Sequence, residues 1–132
     1  MSTMTPELLM LALSVVLGFV HIIVSACATT RQYGSRWNLS ARDAPMPPLD
    51  VVAGRLQRAL HNFLETFPLF AVAVLIADAI NRHGWLSLWG SQIYFYARVI
   101  YLPVYAAGLP VVRTIVWSVA TLGIVMVLID VF

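Results

Sequence analysis

Four long apolar segments constrain the fold of this chain more than any other feature. They lie at about residues 7–29, 51–80, 86–108 and 111–132. A helix needs about 20 mainly apolar residues to cross the hydrocarbon core of a bilayer, so each segment is long enough to span a membrane. Within lipid the backbone must satisfy its hydrogen bonds internally, which favours helices. The sequence therefore predicts an all-α integral membrane protein in which residues 1–132 form a single bundle of four transmembrane helices.

The composition supports this class and argues against several others. Of the 132 residues, 61% are hydrophobic and only 11% are charged, whereas soluble domains average about 45–50% and about 25%. Cys27 is the only cysteine, which excludes a disulfide framework. A net charge of +2 without a dense basic cluster predicts no nucleic-acid partner. The histidines and carboxylates lack metal-ligand spacing, so we expect no metal site.

The links between the segments predict an orientation in the membrane. The first link, residues 32–50, is polar and rich in proline, as surface loops are. With Arg31 at its start, it holds Arg36 and Arg42, and Arg113 lies by the third link on the same side of the membrane. The opposite side shows only Arg82. Under the positive-inside rule, the long first loop is expected in the cytoplasm and both termini outside.

Polar residues inside two of the segments fall on single helical faces. A charge at the bilayer centre costs about 2.5–3.5 kcal/mol on insertion scales, so ionisable groups there are candidates for function. The second segment has four such polar residues spaced for one face, a set that we call the polar stripe: Arg55, Arg58, Asn62 and Glu65. The third segment repeats the pattern with Arg98, Tyr101 and Tyr105.

The depths of these residues predict which of them are neighbours. Arg55 and Glu65 are about 15 Å apart along a helix, which places Glu65 near the bilayer midplane at a depth similar to that of Arg98. Because the two segments run antiparallel, we expect three neighbouring pairs, within one chain or across a subunit boundary: Glu65 with Arg98, Asn62 with Tyr101, and Arg58 with Tyr105. Such a set could bind a small molecule with several carboxylates and an amine. Alternatively, it could serve only to hold helices together.

Other polar residues are expected to have structural roles. Glu7, Asp78 and Asp130 fall at helix ends, where solvation at the membrane interface is the default. His21 stands alone in the first segment, so a hydrogen-bonded structural histidine is expected there. His61 lies about 40° outside the polar stripe and has a weaker case for a site role.

The polar residues also resemble a known family. The segment RALHNFLETFPLF, residues 58–70, resembles the Arg-Ala-x-x-Asn-x-x-Glu-x-x-Pro signature of the MAPEG superfamily, the membrane-associated proteins of eicosanoid and glutathione metabolism. Arg98-x-x-Tyr101-x-x-x-Tyr105 followed by Arg113 looks like the third-helix and fourth-helix motif of that family. The resemblance covers essentially the whole chain. It implies a homotrimer of four-helix subunits that binds glutathione near the cytoplasmic face, between neighbouring subunits.

The same resemblance assigns roles to individual residues. Seven would bind glutathione or line its site: Arg58, Asn62, Glu65, Tyr101, Tyr105, Arg98 and Arg31. Arg113 would be catalytic, because a nearby cation favours the thiolate form of glutathione, which is the nucleophile. Leu60 and Thr66 depart from the eicosanoid-synthesising branch, which favours a bacterial-type member in the inner membrane.

Two functions of different classes follow from these observations. The first is a membrane glutathione transferase, with or without glutathione peroxidase activity, that acts on lipophilic small molecules entering from the bilayer. The alternative is a non-catalytic scaffold or accessory subunit that binds membrane lipid or a larger membrane complex. A small transporter is disfavoured, because the sequence shows neither inverted repeats nor broken helices.

Overall fold

The regular secondary structure of the described residues is helical. The computed structural model describes residues 3–132, so residues 1 and 2 of the predicted domain lie outside the described part. The helices, in chain order, are α1 (Pro6–Tyr33), α2 (Ser35–Asn38), α3 (Val51–Ala79), α4 (Trp85–Ala106) and α5 (Pro110–Val131). Residues 3–132 contain no strand. The all-helical prediction is therefore confirmed, and the four long helices coincide with the four apolar segments.

Two local differences from the predicted boundaries concern the first loop. Helix α1 continues past residue 29 to Tyr33, so Arg31 lies in its last turn. The loop also contains the short helix α2. Gln32 fixes the far end of the loop, because its side chain donates to the Pro48 carbonyl at 2.9 Å and accepts from the Asp50 backbone N–H at 2.7 Å. The loop thus returns to α1 before α3 begins.

Three of the helices are long and apolar enough to cross a membrane: α1, α3 and α5. Helix α4 has 22 residues but does not meet the same criterion of apolarity in the described chain. Its polar residues include Ser87, Ser91 and Arg98, which are all buried inside the bundle. These polar side chains of α4 are therefore packed against the other helices and are not exposed on the bundle surface.

The residue before helix α3 caps its first turn. The Asp50 carboxylate accepts a hydrogen bond from the Ala53 backbone N–H at 2.7 Å. A side-chain acceptor at this position satisfies a backbone donor that has no partner within the helix. The cap fixes the start of α3, and with it the positions of Arg55 and Arg58 one and two turns further on.

Helices α4 and α5 approach each other at a pair of glycines. A Cβ atom added at Gly90 would lie 2.6 Å from the Gly123 carbonyl oxygen, and one added at Gly123 would lie 2.5 Å from the Gly90 carbonyl oxygen. Small residues let helix backbones come close, which increases van der Waals contact between helices in lipid. Next to them, the rings of Phe70 and Tyr94 stack with centroids 4.1 Å apart, which joins α3 to this helix pair.

The end of the bundle that is remote from the long loop is tied together by carboxylates. Ser87 Oγ donates to Glu7 Oε1 at 2.8 Å, and the Ser87 backbone N–H donates to Asp130 Oδ2 at 2.6 Å. The His83 ring lies between Glu7 and Asp78, at 3.6 and 3.7 Å from their oxygens. Solvation of Glu7 was the expectation, and it is wrong: Glu7 is buried because three helix ends meet around it.

We expect Gly90→Ala to lower the thermal stability of the protein in detergent. The added methyl group meets a backbone oxygen that cannot rotate away, so α4 and α5 must separate. Overpacking of this kind typically costs about 1–3 kcal/mol. Val125→Leu, which enlarges an exposed side chain of α5, is the control and should leave the unfolding temperature unchanged. Equal unfolding temperatures for the two variants would contradict the close contact.

Candidate functional site

Tyr105 lies between two arginines from different helices. Arg58 of α3 donates its Nε–H to the Tyr105 hydroxyl at 3.2 Å. The guanidinium carbon of Arg113, on α5, lies 5.1 Å from the centroid of the Tyr105 ring. The predicted pair of Arg58 and Tyr105 is thus confirmed. Its geometry follows from the antiparallel course of α3 and α4, which puts the start of one helix beside the end of the other.

Arg55 completes a group of three guanidinium ions at this end of the bundle. Its Nη1 donates to the Ala106 carbonyl at 3.3 Å. The side chain lies across Gly108, where the backbone has φ +75° and where an added Cβ would come within 2.5 Å of the Arg55 guanidinium. Glycine suits this turn because of its positive φ, and a side chain there would displace the Arg55 guanidinium.

The three arginines line one small cavity, which we call the arginine cavity. Its volume is about 160 Å³, and its lining consists of Arg55, Arg58, Tyr105, Gly108, Pro110 and Arg113. Among residues 3–132, no carboxylate lies within 4.0 Å of any of the three guanidinium groups. The cavity is therefore a concentration of positive charge that the described chain leaves uncompensated.

A larger cavity adjoins the arginine cavity. It has a volume of about 510 Å³, is built from the start of α3 and the segment before it, and shares Arg55 and Arg58 with its neighbour. Ligand pockets commonly have volumes of about 300–1,000 Å³. The two cavities together offer a polar, positively charged site large enough for a small anionic molecule.

Arg98 lies deeper in the bundle and has a different environment from the one predicted. It is 0% exposed, and its Nη1 donates to the Asn62 side-chain oxygen at 2.8 Å. The guanidinium carbon lies 4.1 Å from the Tyr101 ring centroid and 5.4 Å from that of Phe63. The cation is thus held by aromatic faces and one amide.

The predicted pair of Glu65 with Arg98 is wrong within the protomer, and Asn62 and Tyr101 contact the same Arg98 guanidinium group without a hydrogen bond between them. The Arg98 side chain reaches about one turn along α4 over Tyr101, so it meets Asn62 and takes the place of Tyr101 there. Glu65 follows Asn62 by three residues, so its side chain points about 60° away from that of Asn62 around the axis of α3. This rotation moves Glu65 out of the helix interface, where it is exposed.

His21 differs from its expected role as a hydrogen-bonded histidine. It is fully buried, but neither ring nitrogen has a hydrogen-bond partner among the described residues. Its ring stacks on Phe63 with centroids 4.8 Å apart. The Phe63 ring therefore contacts both His21 of α1 and the Arg98 guanidinium group of α4.

Two further predicted site residues lie outside the arginine cavity. Arg31 lines a separate cavity of about 640 Å³ with Cys27, Gln32 and the start of α3. Asp50 borders both this cavity and the larger cavity beside the arginines. Tyr101 is buried, and its ring lies beside that of Tyr105, at 5.6 Å between centroids. Within one protomer, the structure thus joins Arg58, Tyr105 and Arg113 and leaves Arg31 apart.

Arg55 is the residue whose role the sequence analysis missed. It belongs to the polar stripe, but the family signature from which the site roles were assigned begins at Arg58. The available signal was Gly108, two residues before Pro110, since glycine and proline together mark a tight turn against which a long side chain can pack.

Comparison with known proteins gives one match. The model of the MAPEG family matches residues 10–132, which include the polar stripe and all three arginines of the cavity. No curated protein and no solved structure matches the chain.

We expect Gly108→Ala to destabilise the protein, and to do so less when Arg55 is also replaced by alanine. An added Cβ at Gly108 meets the Arg55 guanidinium, which must then move away from its contact with the Ala106 carbonyl. Gly34→Ala is the control, because Gly34 has positive φ but no atom within 4 Å of an added Cβ. Its cost, about 1–3 kcal/mol of backbone strain, should be the same with and without Arg55. Thermal unfolding in detergent measures these costs, and an equal cost of Gly108→Ala in the two backgrounds would contradict the contact.

Proposed function

Since the chain belongs to the MAPEG family, we propose that it is a membrane glutathione transferase that binds glutathione at the arginine cavity. The proposal includes glutathione-dependent peroxidase activity and lipophilic electrophiles that arrive from the bilayer. The observation that carries it is the set of three guanidinium groups, Arg55, Arg58 and Arg113, without a carboxylate partner in the described chain. Such charges suit an anionic ligand that supplies the missing carboxylates.

Glutathione has the groups that this site could bind. It carries two carboxylates, one ammonium group and one thiol. Guanidinium groups bind carboxylates in a bidentate manner, and the hydrogen bond of Arg58 to Tyr105 uses only Nε, so the two Nη groups can take that role. Glu65 supplies a carboxylate for the ammonium group, and Asn62 supplies an amide for the peptide part.

Arg113 is proposed as the catalytic residue. A free thiol has a pKa of about 8.5, and a neighbouring cation favours the thiolate. The thiolate sulfur forms a bond with the electrophilic carbon, whose leaving group departs with the bonding electrons, while the thiol proton passes to water at the open cavity. Tyr105 contacts both Arg58 and Arg113, so it holds the carboxylate-binding arginine and the catalytic arginine at one site.

The assembly and orientation are part of the proposal. Helix α4 is about 33 Å long, which is enough for a fourth span. Arg58, His61 and Glu65 are exposed on the protomer surface, and charges at membrane depth are unfavourable against lipid. A homotrimer would cover them and let a neighbouring subunit complete the glutathione site with Arg31. The long first loop would face the cytoplasm and both termini the outside of a bacterial inner membrane.

A second candidate is a non-catalytic scaffold that binds an anionic lipid. The arginine cavity favours it as well, because guanidinium groups bind the phosphate of a lipid headgroup as readily as a carboxylate. In this case the protein would be an accessory subunit or lipid-binding component of a larger membrane complex.

Glutathione binding to the detergent-purified protein tests the first proposal. We expect the wild type to bind glutathione in calorimetry and Arg58→Ala to weaken binding by about 10- to 100-fold, the range for loss of a hydrogen bond to a charged group. Arg82→Ala, which removes an exposed arginine from the opposite end of the bundle, should bind normally. A wild type that binds anionic lipid but no glutathione would overturn the transferase and favour the scaffold.

The role of Arg113 has a separate optical test. We expect the ultraviolet absorbance of the thiolate to appear when glutathione is added to the wild type at neutral pH and to be lost in Arg113→Ala, because the cation that favours ionisation is gone. Arg113→Lys should retain part of the signal. If Arg113→Ala keeps the full absorbance at saturating glutathione, another group stabilises the thiolate.

A further inference from the structure

The contact between Arg98 and Asn62 determines how the Asn62 amide is turned. The guanidinium group has only donors, so the atom of Asn62 that faces it must be the amide oxygen. The NH₂ group of Asn62 then points away from Arg98. It makes no hydrogen bond within residues 3–132, and Asn62 is half-buried rather than enclosed.

The environment of Arg98 locks this orientation. Within the described chain, the Asn62 oxygen is the only hydrogen-bond acceptor of the guanidinium group, since Nε and Nη2 have no partner. No carboxylate of that part of the chain lies within 4.0 Å. A flipped amide would leave a fully buried cation without any acceptor, and burial of an unpaired charge is strongly unfavourable.

We propose that Arg98 is a positioning residue that makes Asn62 a pure hydrogen-bond donor toward the ligand. This inference rests on the proposed function and changes one role within it, because Arg98 is enclosed and does not itself touch glutathione. Asn62 lies one turn from Arg58 on α3, about 6 Å along the axis. The two side chains therefore present donors side by side, and the ligand must offer a carboxylate or carbonyl oxygen at Asn62.

Asn62→Asp separates the two functions of the amide. The aspartate has the same shape and still offers an oxygen to Arg98, but it replaces the donor that faces the ligand with an acceptor. We expect the unfolding temperature to stay the same or rise, because Arg98 gains a counter-charge, while the Kd for glutathione increases at least about tenfold. Unchanged affinity, or a lower unfolding temperature, would overturn the inference.

Arg98→Met tests the positioning role without removing any ligand contact. Methionine occupies a similar volume without the buried charge, whose desolvation is unfavourable, and it leaves the Asn62 amide free to flip. We expect KM for glutathione to rise several-fold while kcat at saturating glutathione is retained, and Arg98→Lys to restore part of the affinity.

A matched control distinguishes positioning from general loosening of the bundle. Tyr94→Phe removes the buried contact between the Tyr94 hydroxyl and Thr66 Oγ1, which are 3.1 Å apart and also link α3 to α4. It should lower the unfolding temperature and leave KM for glutathione unchanged. An Arg98→Met protein with wild-type KM would overturn the positioning role. Absence of glutathione binding by the wild type would instead overturn the proposed function.

Discussion

A guanidinium group inside an apolar helix bundle needs protein groups around it, because lipid offers no hydrogen bonds in exchange for those of water. Arg98 meets this requirement with one amide oxygen and two aromatic faces. The arrangement of the long helices follows from it. Helix α4 carries the cation and is enclosed on that side, α3 supplies Asn62 and Phe63, and α1 closes the far side with His21 stacked on Phe63.

The two ends of the bundle treat charge in opposite ways. At the end remote from the long loop, the Glu7 carboxylate is buried and receives a hydrogen bond from Ser87. At the loop end, three arginines have no carboxylate partner in the described residues and surround open cavities. One end is thus stabilised by internal pairing. At the other end, the positive charges have no carboxylate partner within the described residues, which is the basis of the proposed anion site.

Features that depend on position along the chain could be predicted from the sequence. Segment length and apolarity gave the four long helices, and antiparallel depth gave the contact of Arg58 with Tyr105. The pairing of Glu65 with Arg98 failed because such arithmetic locates Cα atoms, whereas an arginine side chain reaches about a turn beyond its own. The stacking of His21 on Phe63 depends on how α1 packs across α3, which helical spacing within one segment does not determine.

The glycine contact between α4 and α5 bears on how the chain enters a membrane. Helix α4 is the one long helix of the described chain that does not meet the criterion of length and apolarity for a membrane span. A short turn at Gly108 connects it to α5, and Gly90 and Gly123 let the two backbones touch. A helical hairpin that inserts as one unit spreads the transfer free energy of the Arg98 guanidinium over two helices. In the proposed four-span arrangement, the helix that bears the buried cation would thereby enter the bilayer together with an apolar companion.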